Sequence, residues 1–77
     1  MTKQELLNQL INRGFQAYNL ERGFDEFETK YISTIDQPRF EPFIWRTENG
    51  DEVTVEVKIG YTYDALNDIT TYDCMLL

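Results

Sequence analysis

Glu52-Val53-Thr54-Val55-Glu56-Val57-Lys58-Ile59-Gly60-Tyr61-Thr62-Tyr63-Asp64 alternates polar and apolar side chains with scarcely a break. A period of two marks a half-buried β-strand, because successive side chains of a strand point to opposite faces. The odd positions, Val53 through Tyr63, face a core; the even ones set Glu52, Glu56 and Asp64 against Lys58 alone. At about 3.3 Å per residue such a strand is roughly 40 Å long, so it is expected to bend, with Gly60 as the place for a bulge or kink.

Immediately before it, Asn49-Gly50 is a strong hairpin signal, and residues 40–48 read as the partner strand. A two-residue Asn-Gly loop would set Ile44 opposite Val55. A three-residue Glu48-Asn49-Gly50 loop, with Gly50 left-handed, would set Phe43 opposite Val55 and Trp45 opposite Val53. The choice exchanges the two faces, and the second is preferred because it buries Trp45. After the long strand, residues 64–68 form a turn and residues 69–76 a last strand.

Towards the N-terminus, Thr2-Lys3-Gln4-Glu5 reads as a capping box that starts a helix. Leu6, Leu7, Leu10 and Ile11 make its apolar stripe, and Gly14 can stop it in the left-handed conformation. Residues 15–20 fit either a short strand or a helical turn, ended by Gly23. Phe27, Thr29, Tyr31, Ser33 and Ile35 alternate with Glu28, Lys30, Ile32 and Thr34, and the β-branched and aromatic content argues for a strand before an Asp36-Gln37-Pro38 turn. The expected fold is α+β: an N-terminal helix packed on a four-stranded antiparallel meander.

Seventy-seven residues make one domain of modest stability. The lone cysteine, Cys74, has no partner for an intrachain disulfide, and residues 1–13 hold no apolar signal core, so a cytoplasmic protein of a bacterium or phage-infected cell is expected. No apolar run is long enough to span a membrane. Lys and Arg number 7 against 14 Asp and Glu, a net charge of -7, which repels nucleic acid and lipid phosphate alike. Residues 1–24 sum to +1 (Lys3, Arg13 and Arg22 against Glu5 and Glu21), leaving -8 for residues 25–77.

The chain has no histidine, which removes Ser-His and Cys-His nucleophile activation and the commonest zinc ligand. Cys74 sits in an apolar run, Cys-Met-Leu-Leu, and reads as a core thiol. Glu52 with Glu56, or Asp64 with Asp68, could pair for acid–base work, but so short a chain rarely encloses a substrate cleft. Asp64, Asn67 and Asp68, or Asn49, Asp51 and Glu52, offer oxygens to calcium without the spacing of a calcium loop, and their turn-forming chemistry accounts for them. The glycines are isolated, so there is no phosphate-binding loop. No enzyme activity, cofactor or metal is expected.

The aromatic residues remain. Tyr18, Tyr31, Tyr61, Tyr63 and Tyr72 need partners for their hydroxyls if buried, and exposed Tyr beside carboxylates suits a protein-binding surface. The candidate partner-binding residues are therefore Glu48, Asp51, Glu52, Glu56, Tyr61, Tyr63, Asp64 and Asp68. The partner expected is a basic protein such as a nuclease or another nucleic-acid-binding protein, since strand carboxylates about 7 Å apart imitate successive phosphates. In size, charge and lack of catalytic groups the chain resembles phage-encoded inhibitors of host defence, such as anti-CRISPR and anti-restriction proteins; the likeness is one of composition and rests on no motif. The alternative is a homodimeric interaction module that buries Met75-Leu76-Leu77 or an open strand edge against a copy of itself.

Overall fold

A computed structural model describes residues 1–34 and 37–77. Two helices, α1 (Lys3–Asn12) and α2 (Leu20–Thr34), precede three strands, β1 (Glu41–Arg46), β2 (Glu52–Asp64) and β3 (Ile69–Leu76). The strands form one antiparallel meander in the order β1-β2-β3. The α+β class, the N-terminal helix and the meander are those expected from the sequence. A single antiparallel bridge between Phe15 and Thr47 adds the rudiment of a further strand beside β1.

Helix α1 starts at the cap the sequence announces: the Thr2 hydroxyl accepts from the Glu5 amide at 3.2 Å. It ends before Gly14, whose φ of +100° only glycine adopts without strain. Leu6, Leu7 and Leu10 are buried, each contributing roughly 1.5–3 kcal/mol through removal from water. Ile11, expected in the same stripe, is 41% exposed, because a fourth position widens the stripe past the contact with the sheet.

The strand expected over 27–35 is helix α2 instead. Leu20, Phe24 and Tyr31 are buried and Phe27 half-buried, so the inward positions are separated by four, three and four residues. That is helical spacing, and it runs straight through Gly23. Alternation within 27–35 was fortuitous: Thr29 and Ser33 face outward and donate to the carbonyls of Asp25 and Lys30. The Tyr31 hydroxyl ties the helix to the start of β1, accepting from the Arg39 amide at 2.7 Å and donating to the Arg39 carbonyl. Ile35 and Asp36, expected at a strand end and in a turn, lie outside the described residues.

Gly23 has a packing role. A Cβ placed there would sit 2.4 Å from a ring carbon of Trp45. The indole thus lies against bare helix backbone, donates to the Gln16 carbonyl at 3.1 Å and stacks on Phe43 at 6.1 Å. Trp45 is half-buried rather than fully enclosed. Phe24, Phe27 and Phe43 meet at centroid distances of 5.3–5.7 Å in tilted and edge-on geometries.

The hairpin has the three-residue register: Phe43 faces Val55 and Trp45 faces Val53, with Gly50 at a φ of +86°. Val57, Ile59 and Cys74 complete the core beneath the helices. The expected bulge at Gly60 is absent, since pairing continues unbroken from Val57 opposite Leu76 to Asp64 opposite Ile69. β2 therefore keeps its full length, and the molecule measures 47 × 23 × 20 Å.

Candidate functional site

The stagger of the sheet makes the site. β1 pairs with Glu52–Val57, the first half of β2, whereas β3 pairs with Val57–Asp64, the second half. The helices cover the odd face of β2 as far as Ile59, which is buried opposite Cys74. Past that point the β2–β3 hairpin continues as a two-stranded arm. All of residues 61–71 are exposed, Tyr63 at 61%, Ile69 at 54% and Leu66, at the tip, at 96%.

Side-chain bonds shape the tip. Asp64 accepts from the Leu66 amide at 3.0 Å and from the Asn67 side-chain amide at 2.8 Å. These bonds, the Asn67 one foremost, hold its carboxyl below the usual carboxylate range. Asp68 takes a left-handed φ of 51° and accepts from the Tyr63 hydroxyl at 2.8 Å, which raises the Tyr63 pKa because the protonated phenol is the donor. Tyr61 is also raised, by partial burial first and by the charge of Glu28 second. Both phenols are neutral at pH 7 and the Asp64 carboxylate is charged. From Ile59 to Leu77 the chain holds Asp64, Asp68 and Asp73 and no Lys or Arg.

The eight candidate residues do not form one surface. Glu48 and Asp51 lie in or beside the β1–β2 loop, while Tyr63, Asp64 and Asp68 sit at the opposite end of β2, about 40 Å away by strand geometry. Glu52, Glu56 and Asp64 share the face of the sheet that the helices leave bare; Tyr61 and Tyr63 are on the other. Along the bare face the row reads Glu52, Thr54, Glu56, Lys58, Gly60, Thr62, Asp64, so its carboxylates are about 13 and 26 Å apart. Arg46 faces Glu52, and the Lys58 ammonium lies 5.5 Å from the Phe40 ring centroid. This row is no ladder of closely spaced charges.

Sequence reasoning passed over Leu66 and Ile69. The signal for Leu66 was present: a large apolar residue between Asp64 and Asp68 has no core to enter when a tight turn carries it to a hairpin tip. Cys74 is fully buried, and burial pushes its thiol up to about 11, which leaves it inert as a nucleophile. Among the described residues no group of three or more Cys, Asp or Glu side chains is arranged to hold a metal ion, and no helix is long and apolar enough to cross a membrane. No protein-family model, no curated protein and no solved structure matches the chain.

Proposed function

We propose that this chain is a non-enzymatic binding protein that docks through its β2–β3 arm on a basic surface of a partner protein. The observation that carries the reading is the arm itself. It presents Tyr63, Leu66 and Ile69 to solvent beside Asp64 and Asp68, with no cationic side chain from residue 59 onward. Exposed apolar anchors supply contact energy, and surrounding charges of one sign speed encounter with the opposite sign and reject the same sign. Basic surfaces broad enough to receive such an arm are characteristic of proteins that hold a phosphate backbone. A nuclease or a related nucleic-acid-handling protein is the partner class proposed, and inhibition of a host-defence enzyme by occupying its basic groove is the activity that fits. The wide spacing of Glu52, Glu56 and Asp64 favours docking by the arm over imitation of successive phosphates.

A photocrosslinking amino acid in place of Leu66 tests the reading, with the same group in place of the exposed Tyr18, beside Trp45 and Arg46, as control. The Leu66 position should crosslink a basic protein in a bacterial lysate, and D64K/D68K should abolish that product. Crosslinking from position 18 alone would move the interface off the arm. The homodimer reading draws on a separate patch. Ile44, Met75 and Leu77 are exposed on or beside the bare face, and the Leu77 amide bonds the Glu56 carbonyl across from Pro42. Sedimentation that shows a concentration-dependent dimer, lost in M75K, would support it.

A further inference from the structure

The phase of the hydrogen bonds along β3 says which of its backbone groups face away from β2. The Cys74 amide donates to the Met1 carbonyl at 2.7 Å, and the Cys74 carbonyl accepts from the Met1 nitrogen at 2.9 Å. Both groups of Cys74 therefore point outward. The Leu77 amide, three residues on, points inward to the Glu56 carbonyl. Because orientation alternates along a strand, Thr70 and Tyr72 also turn their N–H and C=O outward, while Ile69, Thr71 and Asp73 use theirs on β2. Among the described residues no backbone hydrogen bond reaches the outward groups of Thr70 and Tyr72.

This edge lacks the usual protections. Residues 69–72 are Ile, Thr, Thr and Tyr, with no lysine, proline or bulge, and their β-branched and aromatic character suits strand pairing. At its far end the edge already takes a strand-like partner, since Met1 exchanges both backbone bonds with Cys74 as the residues of an antiparallel pair do. The charged side chains of this hairpin are all acidic from residue 59 onward. Asp64 stands beside Ile69 across the ladder, Asp68 precedes it in the turn, and Asp73 follows, ion-paired with the Met1 amine.

We infer that the outer edge of β3, at Thr70 and Tyr72, adds an extended, lysine- or arginine-bearing segment of the partner as a further strand of the sheet. This rests on the docking reading and names its mode: backbone groups supply the pairing, and Asp64 and Asp68 select for cationic side chains. A second copy of this chain is disfavoured as the occupant, because it would bring the same carboxylates and a further net charge of -7 to the edge.

A short peptide of alternating lysine and valine is the probe, with its glutamate–valine counterpart as control. The lysine peptide should slow amide exchange at Thr70 and Tyr72 by about tenfold or more, leaving Thr71 and Asp73, already in the ladder, unchanged. The glutamate peptide should leave exchange at Thr70 and Tyr72 unchanged as well. T70P removes one outward donor and spares the intramolecular ladder, so the fold survives, as prolines do at sheet edges, and peptide affinity drops about tenfold; T70V keeps both. Equal binding by T70P and T70V, or protection that falls elsewhere, overturns the inference. So does sedimentation showing a dimer of the chain that protects the same two amides without peptide. If T70P still crosslinks its partner from position 66, strand addition fails and docking stands; if position 66 never crosslinks, docking itself fails.

Discussion

Gly23 and Trp45 show how one residue can decide where a helix sits. Glycine within a helix costs about 1 kcal/mol relative to alanine, so on propensity alone Gly23→Ala should stabilise α2. Packing opposes this. The added methyl would lie 2.4 and 2.6 Å from two ring carbons of Trp45, and the indole has little room to retreat between Phe43 and its bond to Gln16. Overpacking of this kind costs about 1–3 kcal/mol, so the steric term is the larger and a net loss is expected on urea denaturation. The control is W45F, whose smaller ring vacates the contact. In that background Gly23→Ala should become neutral or stabilising, and a loss equal to that in the native background would show that the clash is not the cause. The sequence alone offers no route to this pair, since a glycine that ends a segment and one that admits a neighbouring ring look the same.

Among the elements, those set by local chemistry were legible and the one set by tertiary contact was not. β2 and the β1–β2 loop follow from an unbroken period of two and from Asn49-Gly50, with the register decided by whether Trp45 turns inward. In α2 the pattern supported two answers. Phe27, Tyr31 and their neighbours satisfy strand alternation within nine residues, and only the longer span from Leu20 and Phe24 exposes the helical period. β-branched Thr29 and Ile32 lower helix propensity by a few tenths of a kcal/mol each, which burial of Leu20, Phe24 and Tyr31 at roughly 1.5–3 kcal/mol apiece overrides. α1 leans more on its ends, being 10 residues long. The Thr2 cap satisfies one amide at its start, so Thr2→Ala should lower stability by about 1 kcal/mol, whereas Thr2→Ser should hold it. Equal losses for both variants would shift the weight from the hydroxyl to the methyl of Thr2.

On the scale of the whole molecule, the residue types of the candidate site could be read from the sequence but their grouping could not. Tyr63, Asp64 and Asp68 belong with Leu66 and Ile69, and not with Glu48 or Asp51, because β2 stays paired past Gly60 without interruption and carries its two ends apart. The same continuity divides a body that holds the core from an arm, since among the described residues the buried side chains of the sheet, Phe43, Val57, Ile59 and Cys74, all lie short of Tyr61. The arm should then be removable. Thr62 and Thr71 face each other, and by the alternation argued above they form a hydrogen-bonded pair, the kind a two-residue type I′ turn closes. Replacing residues 63–70 with Asn-Gly keeps that pair and every core residue while deleting Tyr63, Asp64, Leu66, Asp68 and Ile69. A cooperative thermal transition within a few degrees of the native midpoint is expected, because the deleted side chains are exposed and contribute little to stability. Partner capture, now followed by a crosslinker outside the arm, should be lost. Loss of cooperative unfolding would mean that the arm supports the core through contacts a surface ribbon does not make, and retained capture by a folded, shortened chain would place the docking surface on the body.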